Sequence, residues 1–283
     1  MIEFFRQMLS YDFMRSALLA CVLVSFACGL VGTLVVLNRI VFISGGIAHA
    51  AYGGVGLAYF LGMDPVLGAV LFSLLSSLGM GLVHRRTQAR SDTIIGVMWS
   101  IGMAIGIIFI SLSPGYKADL MSFLFGSILA VSAADLWLML GVAIVVVIFV
   151  LIFYRSLLAI SYDETFASVR NVPVTALYLT MIVLIGLTVV VTMRVVGLIM
   201  VIALLTIPAA TANLFVKDMR GIMLWAVGLG LVFSVVGLIL SYALNLPSGA
   251  TIILVMAVAY VVALLLTYRR TKPNPNPIPT CSK

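Results

Sequence analysis

Apolar runs, most of them close to the ~20 residues that cross a hydrocarbon core as a helix, follow one another along almost all of this 283-residue chain. They fall at about 15–37, 40–62, 66–84, 94–113, 137–154, 176–194, 197–215, 222–244 and 249–267. Only 9% of the residues are charged and 64% are hydrophobic, whereas a soluble domain needs about 25% charged residues to cover its surface. The strands of a membrane barrel would alternate apolar and polar positions in segments of about ten. These runs do not alternate, so the spans are read as helices, which satisfy their own backbone hydrogen bonds in lipid. The expected fold is an all-α, polytopic transmembrane helical bundle of eight or nine spans. The first run follows Met1–Tyr11. It is too long for the apolar part of a signal peptide and lacks a convincing cleavage site.

Basic residues gather at Arg85, Arg86 and Arg90, at Arg155 and Arg170, at Lys217 and Arg220, and at Arg269, Arg270 and Lys272. An even number of spans separates each group from the next, so all four lie on one side. The positive-inside rule makes that side the cytoplasm, and it accounts for the formal charge of +7 without nucleic acid as a partner. The N-terminus is then expected outside, with Arg194 near the outer face, where a long side chain can snorkel. Two connections are too long to be turns. The external one contains Asp119-Leu-Met-Ser-Phe-Leu-Phe-Gly126, expected as a short surface or re-entrant helix. The cytoplasmic one contains Asp163–Pro173, expected as a short amphipathic helix. Asp163 and Glu164 in its first turn suit the helix dipole, Asn171 can take a left-handed cap, and Pro173 stops the helix. Residues 272–283, rich in Pro and Asn, read as a disordered cytoplasmic tail behind one membrane domain, 1–271.

The acids bear on the energy source. Glu3, Asp12, Asp64, Asp92, Asp119, Asp135, Asp163, Glu164 and Asp218 are all of them, and each falls in a loop or at a span end. Proton- or sodium-driven carriers usually need an intramembrane carboxylate or another coordinating group. A phosphate-binding G-x-x-x-x-G-K-[ST] loop is also absent. Energy for uphill transport must therefore come from another subunit, and the helix at Asp163–Pro173 is the natural docking point. Hydrolase signatures such as H-E-x-x-H and G-x-S-x-G are missing too, which argues against an enzyme.

The second span is too small and too polar for lipid. Gly46, Ala50, Gly54 and Ala58 form a small-residue stripe at helical spacing, the pattern of close helix packing in membranes. Gly45, His49, Tyr52, Gly53 and Gly56 form the adjacent stripe. One imidazole thus projects from a groove whose neighbours have almost no side chains, and either a partner helix fills that groove or it lines a cavity. His49 is the sole histidine in the spans, since His84 falls in a basic loop. It is either a satisfied interhelical hydrogen-bonding group or a transient ligand for a borderline divalent metal. One imidazole makes a weak site, as a passage site must be, and a dimer would contribute two. The 15 methionines scatter without an M-x-x-M repeat and read as packing residues. Cys21 and Cys28 read the same way, and neither disulfide framework nor zinc-finger spacing is present.

Four stretches resemble the integral membrane permease of bacterial zinc/manganese/iron ABC importers: Phe42–Leu61 with its Ala-His-Ala, Asp119–Leu129, Asp163–Val174, and Val196–Ala212 ending in Pro-Ala-Ala-Thr-Ala. The resemblance implies a multi-pass permease of a bacterial or archaeal inner membrane with a cytoplasmic C-terminus. It implies a homodimer served by two cytoplasmic ATP-binding subunits and an external metal-binding protein. No cofactor would be bound permanently, the divalent ion being cargo. The ion would pass His49, with Ser44, Gly45, Tyr52 and Gly53 along its path. Asp163, Glu164, Phe166, Val169 and Pro173 would make the coupling helix, Phe166 and Val169 plugging the ATPase groove. Family members commonly carry Asp four residues before the histidine, where this chain has Gly45. They also tend to have Leu-Pro where Tyr52-Gly53 stand and Gly where Asn171 stands. The alternative is an ABC permease for another small solute, such as a metal chelate.

Overall fold

Helix termini in this chain are written with unusual clarity. Asp64 accepts hydrogen bonds from the Val66 and Leu67 amides at 2.7 and 3.2 Å, with Pro65 as the first helical residue. Ser132 and Asp135 form a reciprocal capping box, and Asp163 and Asp218 cap the helices that follow them. Each cap satisfies amides that a helix start leaves without partners. The acids are thus spent at helix ends, as the sequence places them.

The computed structural model describes residues 11–87, 91–113, 126 and 128–270. Its helices are α1 (Asp12–Leu37), α2 (Val41–Leu61), α3 (Pro65–Arg86), α4 (Ser91–Leu112), α5 (Ala133–Tyr162), α6 (Glu164–Val169), α7 (Val174–Val196), α8 (Leu198–Phe215), α9 (Met219–Leu244) and α10 (Ser248–Arg270). Among the described residues nine of these, all but α6, are long and apolar enough to cross a membrane. The all-α polytopic bundle expected from sequence is therefore the fold, at the upper span count. The external helix expected at 119–126 and the tail at 272–283 lie outside the described residues, Gly126 excepted.

α5 is longer than its apolar run of 137–154. Its 30 residues measure about 45 Å, well beyond a hydrocarbon core of about 30 Å. The sequence reading trimmed it at Asp135 and Arg155, residues that a helix tolerates once it leaves the hydrocarbon. The extra turns lead to α6, whose Glu164 pairs with Arg85 in the last turn of α3.

Two groups of helices share α7. α2 packs against α3 and α4, while α1 packs against α5, α8 and α9, with α10 closing on α8 and α9. α7 touches members of both groups. α2 is gripped at backbone distance on two sides. A Cβ at Gly53 would come within 2.7 Å of the Gly102 carbonyl oxygen of α4. A Cβ at Gly54 would overlap the Gly68 carbonyl of α3, and one at Gly56 would overlap that of Gly106. Partner helices thus meet the first stripe at Gly54 and the second at Gly53 and Gly56.

One residue, Gly197, reverses the chain between α7 and α8. Its φ of 83° and ψ of 157° belong to a region open essentially to glycine alone. Gly126 (φ 63°) lies against this corner, where a Cβ would overlap the Val196 and Gly197 backbone. Gly197→Ala should cost about 1–3 kcal/mol, read as a lowered unfolding midpoint in detergent. Gly228→Ala, where an added methyl meets nothing within 4 Å, should leave the midpoint in place.

Candidate functional site

His49 lies near the middle of α2, half-buried, and two side chains of α4 hold it. Its imidazole stacks on the Trp99 indole with centroids 4.1 Å apart and planes inclined by 20°. Its Nδ1 lies 3.4 Å from the Met103 Sδ. When Nδ1 carries the hydrogen it donates to that sulfur, and Nε2 is left with a free lone pair. This arrangement resembles that of metal-binding histidines, in which the second nitrogen is tied down and ring orientation is fixed. Trp99 and Met103 are themselves half-buried, so the three side chains form an open cluster on the surface of the bundle.

The other predicted path residues differ among themselves. Ser44 is buried and turns its hydroxyl back to the Val41 carbonyl at 2.8 Å. Gly45 has the loosest surroundings, since a Cβ there would meet only Ile202 Cδ1 of α8, at 4.0 Å. Tyr52 is 1% exposed, with its ring against Gly106, and its hydroxyl has no partner among the described residues. Gly53 is enclosed by Gly102 and Phe72. Gly45 and His49 therefore border open space more closely than Tyr52 and Gly53, which hold α2 against its neighbours.

Sequence reasoning passed over Trp99 and Met103. The methionines read as packing residues, and one of them stands at hydrogen-bonding distance from His49; the other histidine, His84, expected in a basic loop, lies instead in the last turn of α3. A signal was present: Gly102 and Gly106 form a small-xxx-small pair that marks α4 as a close partner, and Trp99 and Met103 share its face at i, i+4. The described residues contain no group of three or more His, Cys, Asp or Glu able to hold a metal ion.

The segment Asp163–Pro173 forms a helix of six residues, α6, followed by a turn with Asn171 at φ 57°. The Asp163 carboxylate accepts from the Phe166 amide at 3.0 Å, and Glu164 accepts from Arg85 Nη2 of α3 at 2.9 Å. Ala167 is fully buried, whereas Phe166 is 52% and Val169 78% exposed. Two apolar side chains thus stand out from the basic end of the bundle. Pro173 caps α7. At the opposite end, Arg194 pairs with Asp135 at 3.2 Å, so a partner from α5, rather than snorkelling alone, accommodates it.

A family model described as the ABC 3 transport family matches residues 10–267. An uncharacterized membrane protein of Synechocystis sp. is 56% identical over 264 residues, covering 93% of this chain and 94% of its own length. The manganese transport system membrane protein MntC of Listeria monocytogenes is 34% identical over 262 residues, 93% of each chain. Among solved structures, PsaBC from Streptococcus pneumoniae in complex with Fab has a TM-score of 0.82 at 32% identity, over 93% of this chain and 95% of that one.

Proposed function

Because this chain belongs to the ABC 3 transport family, we propose that it is the membrane permease of an ATP-driven importer of a divalent transition metal ion. It is a multi-pass transport subunit and not an enzyme. Manganese is the first cargo to test, since relatives from Listeria and Streptococcus gordonii carry manganese in their names; zinc and iron also accept imidazole. The observation that carries the reading is His49: a half-buried imidazole at mid-span with its Nδ1 on Met103 and Nε2 open. Polar groups at that depth face a partner or a path, not lipid.

A second copy would cover the His49 face and supply a second imidazole, making a weak two-copy passage site with Ser44 and Gly45 beside it. Metal would arrive from an external binding protein at the end of Asp64 and Arg194. Two ATP-binding subunits would dock on α6 at the basic end, which the positive-inside rule makes cytoplasmic, as is the C-terminus. Tyr52 and Gly53 would hold the wall of the path.

The direct experiment reconstitutes the chain with its ATP-binding subunit in vesicles. ATP-dependent uptake of free manganese ion supports the reading. Uptake of a metal chelate alone, or uptake of free metal indifferent to ATP, contradicts it. For docking, Phe166→Asp should weaken co-purification of the ATP-binding subunit about tenfold or more, because it places a charge where an apolar anchor enters a desolvated pocket. Undiminished co-purification would remove α6 from the interface.

A further inference from the structure

The ends of α1, α3, α5, α7 and α8 enclose a chamber of about 540 Å³ at the basic end of the bundle. It shares no lining residue with the His49 cluster. Arg39, His84, Arg85, Asn38, Tyr178 and Glu164 give it its polar character. Its one acid, Glu164, is already held by Arg85 at 2.9 Å. Arg39, in the left-handed conformation at φ 57°, has no acid partner among the described residues. The chamber therefore carries uncompensated positive charge.

Among the described residues, six buried side-chain atoms have no hydrogen-bond partner, and three of them belong to residues lining this chamber. They are His84 Nδ1, Arg85 Nη1 and Tyr178 Oη. Buried polar groups are ordinarily satisfied, and these three atoms are themselves shut off from solvent, so side-chain rotation is what presents them to an occupant of the cavity. All three can donate, and the guanidinium can only donate. An occupant that satisfies them accepts several hydrogen bonds at once, and the unpaired charge of Arg39 favours an anion. Asn38 Nδ2 already donates to the Leu34 carbonyl and Ser161 Oγ and its carbonyl oxygen only accepts, so Asn38 takes no part in holding an anion.

We propose that this chamber binds a phosphate-class oxyanion, held by Arg39, Arg85, His84 and Tyr178 beside the first residue of α6. Basic pockets between transmembrane helices commonly take anionic headgroups, and a free phosphate offers the same oxygens. A cation is disfavoured because the one carboxylate present is neutralised by Arg85.

The test uses the full chain in nanodiscs of phosphatidylcholine, with or without phosphatidylglycerol. Retained lipid is read by native mass spectrometry, and the unfolding midpoint is read in inorganic phosphate against chloride at equal ionic strength. Arg39→Gln removes an exposed cation that makes no ion pair, so the fold should survive, and His84→Gln is the second variant. Arg86→Gln removes a cation one residue beyond the lining and is the control. If the occupant is a lipid, the wild type retains phosphatidylglycerol over phosphatidylcholine by about tenfold, the worth of one charge-assisted hydrogen bond. Arg39→Gln and His84→Gln lose that preference, and Arg86→Gln keeps it. If the occupant is soluble, phosphate raises the midpoint in pure phosphatidylcholine discs and Arg39→Gln and His84→Gln abolish the shift. Neither preference nor shift, or effects indifferent to Arg39 and His84, would leave the chamber holding water only and overturn the proposal.

Discussion

Gly102→Val should lower the unfolding midpoint of the detergent-solubilised chain and abolish transport in the reconstituted complex. The reason lies in the α2–α4 crossing. A Cβ at Gly102 would stand 2.7 Å from the Ala50 Cα and 3.1 Å from its Cβ, and valine adds two further methyls. A neighbour's flexible side-chain end could move aside, but a backbone atom in the middle of a buried helix cannot. α2 has no room to retreat, because its far side meets α3 at Gly54 and Gly68. Overpacking of this kind costs about 3 kcal/mol, at the upper end of the usual range. The functional loss should exceed the stability loss, since Gly102 adjoins Met103 and lies one turn from Trp99, the two side chains that fix His49. Gly141→Val on α5, where an added Cβ meets nothing within 4 Å, should leave both measurements unchanged. Equal behaviour of the two variants would mean that the α2–α4 crossing is looser than its geometry indicates.

The same crossing explains what the sequence could and could not disclose. Spans were legible because charge is costly in hydrocarbon, so apolar runs bounded by Asp and Arg mark themselves. Caps were legible because Asp163, Pro173 and Asn171 act within their own turn of chain. The glycine stripes of α2 announced close packing but not its partner: Gly53 and Gly102 are far apart in sequence, and which helix covers which stripe is a tertiary fact. For that reason His49 could be singled out, while the glycine pair that flags the face of Trp99 and Met103 did not say which helix that face meets. Arg194 and Asp135 illustrate the same limit, each visible at a span end and neither naming the other. α5 was misjudged in length for a different reason. Hydropathy marks the hydrocarbon boundary, and a helix can continue through it.

His49→Ala carries the second large effect. Among the described residues the imidazole hydrogen-bonds through Nδ1 to the Met103 sulfur alone. No group of three or more His, Cys, Asp or Glu among the described residues could take over metal binding. Loss of the partner that orients a metal-binding histidine typically costs 10–100-fold in metal affinity, and loss of the histidine itself costs no less. Removing the imidazole should therefore lower metal uptake at least about tenfold, with the chain still assembling with its ATP-binding subunit, because His49 lies a half-membrane away from α6. Met103→Leu preserves bulk and removes the sulfur acceptor, so it should raise the metal concentration needed for half-maximal uptake without disturbing assembly. The decisive measurement is ATP-driven manganese uptake by vesicles containing wild-type or His49→Ala permease in equal amounts. The account predicts at least a tenfold drop in the variant, and uptake at the wild-type rate would contradict it.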